Sequence, residues 1–339
     1  MRKSIDIGGE TGPALKNIEG IDKRDDLLPT GSTLLNLALS DNPYGGYAKG
    51  TLINIVGDSS AGKSFLAWHL FAEIIHDDRF KNWELVYDDA EGKLKLDIKK
   101  LFGEGIGRVK LDSSDLVEEF DQKVRKLLTL RSPFVYCNDS FDALTDKEEK
   151  LKEEVKRDYP LKPRLFSEML RKICGDLEKQ DSLLVIVSQT RDKIGVQFGE
   201  KKTRSGGNAL RFHAMHEFWL AIKNHVKRKK KEVGIHVVVK AKKNHLTGKL
   251  RQIEFDLFFD YGIDNIGSMI DWMVEEGFWE RPEKLQTIKT GRDFGDITKE
   301  KLVKKIEEED REKDLIGIVA DCWRQVEEEI ATKRRPRYV

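Results

Sequence analysis

Long apolar stretches are missing from this sequence of 339 residues, in which charged side chains make up 36% and hydrophobic ones 39%. A helix that spans a bilayer needs roughly 20 consecutive, mainly apolar residues, so we expect no transmembrane segment and no membrane partner. Residues 1–20 also lack the apolar centre of a secretion signal. These absences predict a cytoplasmic, globular protein with a heavily charged surface.

Cysteine is scarce: the chain carries three cysteines, which lie far apart in the sequence. Their odd number leaves at least one without a disulfide partner in the chain. Cys137, Cys174 and Cys322 lie in apolar surroundings and not in the close pairs that bind metals. A disulfide framework is therefore excluded, and we expect three buried thiols in a reducing compartment. Internal repeats and low-complexity tracts are also lacking, which argues against repeat architectures.

Charge is balanced over the whole chain but unevenly distributed along it. Between residues 190 and 251, seventeen Lys or Arg stand against four Asp or Glu, whereas the net charge of the whole chain is +1. A basic stretch on an otherwise acidic protein suits a surface that binds a polyanion, because neutralised phosphates release counterions. The run VKRKKK at residues 226–231 is equally compatible with solvated lysines on an exposed hairpin.

Short β-rich runs alternate with amphipathic helical stretches from residue 27 onward. Strands are predicted at residues 51–56, 84–87, 134–138 and 183–188, and helices at 64–76, 116–128 and 165–177. This alternation indicates βαβ units, and therefore an α/β fold whose mostly parallel sheet carries helices on both faces. Further strands at 216–222, 235–241 and 252–257 are predicted to pair through hairpin turns, one of them at Thr247 and Gly248.

Composition divides the chain into three parts. Residues 1–26 are polar, contain several glycines and show no apolar period, so they are interpreted as an N-terminal arm. Residues 27–262 carry the alternating pattern and form the predicted core domain. Residues 263–339 are helical and strongly charged, with one amphipathic stripe between Leu315 and Ile330, and are interpreted as a small C-terminal domain, helical or α/β.

The strongest motif is the sequence GDSSAGKS, which fits the phosphate-binding pattern G-x-x-x-x-G-K-[ST] without a mismatch. It lies after a predicted strand and opens a predicted helix. A phosphate-binding loop needs this position, because its backbone amides and the helix N-terminus then converge on the phosphate oxygens. Lys63 is predicted to neutralise the β and γ phosphates of ATP, and the Ser64 hydroxyl to bind Mg²⁺. The nucleotide-binding residues are Gly57, Asp58, Ser59, Ser60, Ala61, Gly62, Lys63 and Ser64.

Acidic residues at the ends of later strands supply the other parts of a phosphoryl-transfer site. Asp139 ends the strand at 134–138 and is the second candidate ligand of Mg²⁺. Glu91 is the candidate base for the attacking water, although Asp88 and Asp89 compete with it on these grounds alone. Gln189 ends the strand at 183–188, where its amide can sense a γ-phosphate.

Together these residues resemble the RecA recombinase family over residues 28–262. LPTGS at 28–32, GDSSAGKS, the triplet Asp89-Ala90-Glu91 and the segment DSFDALT from Asp139 match family motifs, and the triplet assigns the base to Glu91. The longest match is QTRDKIGVQFGEKKTRSGGNALRF at residues 189–212. The resemblance implies a RecA-like P-loop fold, ATP hydrolysis with Mg²⁺, and Gln189 as the γ-phosphate sensor.

The same resemblance implies that residues 190–207 form a loop that binds single-stranded DNA. Its chemistry agrees, since basic side chains neutralise phosphates, apolar ones stack beside bases and glycines allow the loop to reorder. A first DNA loop is implied at residues 149–163 by position alone. The candidate DNA-binding residues are Arg191, Lys193, Ile194, Phe198, Lys201, Lys202, Arg204, Gly206 and Gly207.

Two departures from the family pattern concern assembly. Residues 1–26 lack the amphipathic helix that builds the family's filament. In the family, two lysines reach the neighbouring subunit's ATP, and the matching positions here are Lys243 and His245. We therefore expect a homo-oligomer, filament or ring, with ATP at the subunit interface and Lys243 acting across it.

The function implied is a DNA-dependent ATPase that binds single-stranded DNA and promotes homologous pairing and strand exchange in recombination and repair. One alternative is a RecA-like switch or ring-shaped motor that serves replication, repair or packaging without forming recombination filaments. A replicative helicase motor shares the core, but the long second DNA loop argues against it.

Overall fold

The computed structural model describes residues 27–94, 96–130, 132–145, 162–192, 202–204, 207–282, 286–335 and 337. The predicted N-terminal arm lies outside these residues. Within them, no helix combines the length and the apolar character that a membrane span needs.

The strands are β1 (Leu27–Leu28), β2 (Tyr47–Ala48), β3 (Thr51–Gly57), β4 (Glu84–Asp88), β5 (Lys110–Asp112), β6 (Phe134–Asn138), β7 (Leu183–Asp192), β8 (Lys202–Arg204), β9 (His216–Arg228), β10 (Lys231–Asn244), β11 (Gln252–Phe258), β12 (Gly262–Ile263), β13 (Thr287–Lys289) and β14 (Asp296–Thr298). The helices are α1 (Thr33–Ser40), α2 (Lys63–Ile75), α3 (Ile98–Phe102), α4 (Val117–Leu128), α5 (Lys162–Lys179), α6 (Gly207–His213), α7 (Asn265–Glu275), α8 (Lys299–Glu308) and α9 (Glu312–Ile330).

In this described part, a ten-stranded sheet runs β12-β11-β10-β9-β3-β7-β6-β4-β5, with β8 paired to β7. The pairs that β3, β4 and β6 make are all parallel, whereas β9 to β12 pair antiparallel. The strands β3, β4 and β6 of the parallel half are buried on both faces, which explains their nearly continuous apolar sequences, whereas the edge strand β5 is largely exposed. This confirms the predicted α/β class with a large parallel sheet.

Helices cover both faces of the sheet and enclose two hydrophobic clusters. One cluster joins α1, α2, α7, α8 and α9 to the face that carries Ile53 and Val185. The other joins α4, α5 and α6 to the face that carries Leu52 and Tyr136. Because side chains alternate along a strand, consecutive residues such as Ile53 and Leu52 belong to different clusters.

The C-terminal helices share the first of these clusters with the core. Leu315, Val319 and Trp323 of α9 are buried in it, as the amphipathic stripe predicts. A bidentate ion pair adds polar contact, since Arg251 Nε and a terminal guanidinium nitrogen lie 2.5 and 2.6 Å from the two Glu327 carboxylate oxygens. The predicted division at residue 263 therefore falls within one continuous hydrophobic cluster.

Two strands extend further than their sequence pattern predicts. β7 continues to Asp192 and pairs there with β8, and β9 continues to Arg228 and pairs with β10. These extensions are mainly polar and lack the apolar alternation that indicates a strand, so the sequence pattern does not reveal them. Cys137 and Cys322 are buried thiols as expected, whereas Cys174 is partly buried.

Candidate nucleotide site

The predicted site residues lie at one edge of the sheet, where the carboxyl ends of the parallel strands β3, β4, β6 and β7 come together. This is the edge at which parallel α/β sheets bind ligands. A cavity of about 430 Å³ opens there. Its polar lining includes Lys63, Ser64, Glu91, Asp139 and Gln189, so residues that are far apart in the sequence share one site.

The GDSSAGKS loop connects β3 to α2 with the geometry of a phosphate cradle. Gly62 has a φ of 89°, and a Cβ there would lie 2.9 Å from Leu257 Cδ1. A Cβ on Gly57 would lie 2.8 Å from the Leu220 carbonyl oxygen. Glycine is therefore required at both positions. The loop ends at the N-terminus of a 13-residue helix, where free amides and the helix dipole favour an anion.

Lys63 is folded back onto this loop. Its Nζ donates to the carbonyl oxygens of Gly57 at 3.0 Å and Asp58 at 2.6 Å. Burial lowers the pKa of Lys63, against the opposing effect of Asp139 and other carboxylates. Carbonyl groups are weaker partners for an ammonium group than a phosphate is, so Lys63 is placed to exchange them for one.

Ser64 and Asp139 form the part of the cavity suited to a divalent cation. The Ser64 hydroxyl donates to Asp139 Oδ2 at 2.5 Å, and the Tyr87 hydroxyl donates to the same oxygen at 2.6 Å. Burial raises the pKa of Asp139, while these two hydrogen bonds lower it. A hydroxyl and a carboxylate are the oxygen ligands with which Mg²⁺ completes a shell of water and phosphate. The donor set therefore fits Mg²⁺.

A metal site built entirely from protein side chains would need several ligands close together. Among the described residues, no group of three or more His, Cys, Asp or Glu side chains is arranged to hold a metal. Mg²⁺ at nucleotide sites uses one or two carboxylates together with the phosphates, so this finding agrees with the fit of Ser64 and Asp139.

Glu91 lies beside this pair and is surrounded by donors. Its Oε1 accepts from the Ser140 hydroxyl at 2.6 Å and from Gln189 Nε2 at 2.5 Å. Its Oε2 accepts from Lys93 Nζ at 2.9 Å. Partial burial acts to raise the pKa of Glu91, but the hydrogen bonds from Ser140, Lys93 and Gln189 outweigh it and lower the pKa. The carboxylate is therefore ionised at neutral pH, as a base must be.

The two aspartates that compete with Glu91 have other partners. Asp88 is fully buried and accepts from the Tyr136 hydroxyl at 2.7 Å and the Asn138 amide at 2.9 Å, on the opposite face of β4 from Tyr87. Asp89 caps the following turn by accepting the backbone N–H of Leu94 at 2.8 Å. Neither residue lines the cavity.

Gln189 connects the cavity to the strand that leads into the predicted DNA loop. Its backbone N–H donates to Asp142 Oδ2 at 2.6 Å, and the next residue, Thr190, hydrogen-bonds Asp58 of the phosphate loop. Beyond it, Thr190, Arg191 and Asp192 pair with β8. The Gln189 amide and the β7–β8 ribbon are thus parts of one strand.

Sequence reasoning missed the apolar wall of the cavity. The residues that form it are Phe65, Leu96, Ile235, Leu257 and Phe259. Three of these residues come from the antiparallel half, about 180–200 positions after the phosphate loop. No local motif marks them, because their role depends on how β10 and β11 fold back beside α2.

The remaining predicted site residues, Lys243 and the DNA-binding candidates, do not line the nucleotide cavity or lie outside the described residues. Lys243 Nζ donates to the carbonyl oxygens of Arg211 and Phe212 at the end of α6, at 2.6 and 2.8 Å, and is not part of the cavity wall. Phe212 beside it is 78% exposed. For Arg191, Lys202, Arg204 and Gly207 the structure describes the backbone alone. Lys193, Ile194, Phe198, Lys201, Gly206 and most of the first DNA loop lie outside the described residues.

Comparison with known proteins adds independent information. Residues 12–264 match the family model of the RecA N-terminal domain. The chain is 33% identical over 273 residues to Protein RecA of Allochromatium vinosum, covering 80% of this chain and 74% of that protein. It is 31% identical over 270 residues to Protein RecA of Ehrlichia ruminantium, with the same two coverages. For Protein RecA of Gloeobacter violaceus, the identity is 33% over 258 residues, covering 76% and 68%.

Proposed function

The chain belongs to the RecA family, and from this premise we propose that it is a DNA-dependent ATPase that binds single-stranded DNA and promotes homologous pairing and strand exchange. The observation that carries this function is the position of Gln189. Its side chain contacts Glu91 in the nucleotide cavity, while its backbone continues into the β7–β8 ribbon. One strand thereby joins the site of hydrolysis to the DNA loop.

In this proposal ATP lies in the 430 Å³ cavity, with its phosphates on the loop of residues 57–64. Lys63 transfers its ammonium group from the loop carbonyls to the β and γ phosphates. Ser64 and Asp139 hold Mg²⁺, which when bound offsets phosphate charge and orients the β and γ oxygens. Phe65, Leu257 and Phe259 offer the apolar surface on which an adenine ring packs.

Glu91 acts as the base that orients and deprotonates the attacking water. Ser140 and Gln189 both donate to Oε1 of this ionised carboxylate, which leaves Oε2 as the oxygen that takes the proton. Gln189 senses the γ-phosphate because an amide that hydrogen-bonds Glu91 can exchange that partner for a phosphate oxygen. Such an exchange moves the end of β7, and the DNA loop with it.

The remaining predictions belong to the same proposal. Residues 190–207 bind single-stranded DNA, and their basic residues neutralise its phosphates. The protein assembles as a homo-oligomer in the cytoplasm, with Lys243 directed to the neighbouring subunit's ATP. The position of Lys243 at an exposed helix end, beside the exposed Phe212, supports an intersubunit role. The proposed division of the chain is an N-terminal arm at residues 1–26, a core domain at 27–262 and a small C-terminal domain at 263–339.

The deciding experiment measures ATP hydrolysis with and without single-stranded DNA, for the wild type and Lys63→Ala. DNA is expected to stimulate the wild type severalfold or more, and the variant to lose hydrolysis, because it removes the phosphate cation. DNA binding is measured in parallel as a function of salt, where a steep loss of affinity is expected.

An absence of stimulation together with salt-insensitive DNA binding would contradict the proposal. Electron microscopy with an ATP analogue and single-stranded DNA then separates the forms of assembly. A helical filament is expected, whereas a ring or a monomer favours the accessory switch or motor.

A further inference from the structure

Lys93 is a cationic residue of the nucleotide site that has no part in the mechanism proposed for Lys63, Ser64, Glu91, Asp139 and Gln189. It follows Glu91 by two positions, and its side chain lines the nucleotide cavity. It also lines a second, adjoining cavity of about 350 Å³ formed by Ala90, Asp142, Gln189 and Thr190 among others. In the described part of the chain, Lys63 and Lys93 are the cationic residues of the larger cavity wall.

The contact of Lys93 with Glu91 has a consequence for catalysis. Glu91 Oε1 is already shared by Ser140 and Gln189, and Oε2 is the oxygen that Lys93 contacts. A base needs an accessible oxygen to take a proton from water. In the conformation seen here, the ammonium group of Lys93 therefore competes with water for the oxygen that is otherwise available.

The contact is also easy to break. The Lys93 side chain is 75% exposed, and an ion pair this exposed contributes little net free energy. A γ-phosphate carries more negative charge than one carboxylate, and its oxygens accept charge-assisted hydrogen bonds from ammonium groups. An ATP molecule held by Lys63 would present such oxygens between Lys63 and Glu91, within the same cavity.

We propose that Lys93 is a catalytic residue supplied by the same chain, which moves from Glu91 to the γ-phosphate when ATP binds. The inference rests on the proposed function, since it requires ATP in this cavity. The move stabilises the negative charge of the transferring phosphoryl group and frees Glu91 Oε2 for water. Lys93 thus makes the base competent only when a γ-phosphate is present.

The step it serves is hydrolysis. The water oxygen forms a bond to the γ-phosphorus while one water proton passes to Glu91 Oε2. The bond between the γ-phosphorus and the bridging oxygen breaks, and its electron pair leaves with ADP. Glu91 then returns its proton to solvent, so the products are ADP, inorganic phosphate and a proton.

The test uses the full-length protein and the variants Lys93→Met and Lys99→Met. Lys99 is the matched control, because it is also a largely exposed lysine, and its Nζ pairs with Glu104 at 3.0 Å outside the cavity. Two quantities are measured: the turnover number for ATP with single-stranded DNA, and the dissociation constants of ADP and a non-hydrolysable ATP analogue with Mg²⁺.

Lys93→Met is expected to lower turnover by roughly 10²- to 10³-fold, the usual effect of removing one group that stabilises transition-state charge. It is also expected to weaken binding of the ATP analogue relative to ADP by about tenfold, the value of one charged hydrogen bond. Lys99→Met is expected to match the wild type in both. Lys93→Arg, which keeps the charge, is expected to restore part of the preference for the ATP analogue.

Unchanged turnover and unchanged nucleotide preference in Lys93→Met would overturn the inference. So would faster turnover, which would make Lys93 purely an inhibitor of Glu91, and so would slower turnover without loss of the preference for the ATP analogue. If the wild type itself hydrolyses no ATP, the proposed function and the catalytic role of Lys93 both fail, and the ratio of the two dissociation constants still decides whether Lys93 contacts the γ-phosphate.

Discussion

The two halves of the central sheet hold their charged side chains in different ways. In the parallel half, Asp139 receives its hydrogen bonds from two neutral hydroxyls, and Glu91 receives its own from a hydroxyl, an amide and the exposed Lys93. In the antiparallel half, His236 lies between two carboxylates, 2.6 Å from Asp256 and 2.8 Å from Glu254. Lys223 contacts Glu254 at 2.6 Å and extends this group of opposite charges.

This difference teaches which charges are available to a ligand. A carboxylate whose donors are neutral, or whose cation is exposed as Lys93 is, has no fixed charged partner to lose, so a cation such as Mg²⁺ or an attacking water can approach it. A carboxylate inside an ion pair is already compensated, and removing its partner leaves an unpaired charge in a partly buried place. We therefore expect substitutions in the parallel half to alter catalysis and those in the antiparallel half to alter stability.

The largest effect is expected from Glu91→Gln. This variant keeps the shape and the contact with Ser140 but removes the base, so ATP turnover should fall by roughly 10²–10⁴-fold. Nucleotide affinity, measured by equilibrium binding, should change little. The matched control is Glu84→Gln at the other end of β4, where the carboxylate pairs with Lys110 at the surface. Turnover within threefold of the wild type in Glu91→Gln would remove Glu91 from the mechanism.

A smaller effect is expected from Tyr87→Phe, which deletes one donor to Asp139. The ring should stay in place, because it stacks on Trp68 of α2 with centroids 4.5 Å apart. Loss of a hydrogen bond that orients a metal-binding carboxylate typically lowers metal affinity by roughly 10- to 100-fold, so the Mg²⁺ concentration for half-maximal turnover should rise by about that factor.

Tyr136→Phe is the control for this prediction. It removes an equally buried hydroxyl that donates to Asp88, on the opposite face of the sheet. Nucleotide affinity in the presence and absence of Mg²⁺ should show a reduced Mg²⁺ effect in Tyr87→Phe and an unchanged one in Tyr136→Phe. Equal behaviour of the two variants would show that Tyr87 serves stability alone.

The contrast between the halves also explains what the sequence could predict. The phosphate loop and most strands of the parallel half can be recognised in the sequence, because residues close together in the chain specify each of them. Examples are the glycines before Lys63 and the apolar run before Asp139. The contact of Glu91 with Gln189 spans 98 positions and was not predicted, although the carboxyl ends of parallel strands meet at one edge of a sheet.

Other features could not be predicted, because they depend on distant packing. The apolar wall with Phe259 and the buried position of Asp88 follow from how strands meet, and β-strand alternation alone does not assign a face to Asp88 or Asp89. The continuation of β7 and β9 as polar ribbons is set by pairing with β8 and β10 and not by hydrophobic pattern. The roles of Lys243 and the DNA-loop residues stay predictions.

In the antiparallel half we expect a pH effect on stability from His236. The hydrogen bond with Asp256, together with Glu254, raises the pKa of His236 to about 9 although burial opposes the shift. A raised pKa means that the stabilisation is fully present below about pH 6.5 and is lost as pH rises through about 9. Because the ring is partly exposed, we expect a loss of about 2 kcal/mol in the free energy of unfolding.

Urea unfolding between pH 6 and 10 measures this loss, with His236→Gln expected to lack it. His225→Gln is the control, since His225 lies on the same sheet but its pairing with Glu232, at 3.3 Å, is about half exposed. This control should follow the wild-type pH profile. A His236→Gln profile parallel to that of the wild type would contradict an ion-paired His236.

The smallest effect is expected at the turn between β9 and β10, where Lys229 and Lys230 have φ values of 48° and 66°. Two-residue hairpins with positive φ at both positions favour Asn-Gly, because lysine pays a steric cost of about 1 kcal/mol in this region. Lys229→Asn combined with Lys230→Gly should therefore raise the free energy of unfolding by roughly 1 kcal/mol, without changing ATP turnover in the absence of DNA. The double glutamine variant removes the same two charges and leaves the backbone cost, so it should gain less. An equal gain in both variants would show that the instability of this turn comes from repulsion among neighbouring lysines and not from backbone strain. Charge would then destabilise the antiparallel half at the β9–β10 turn, whereas the ion pairs of His236 stabilise it at its centre.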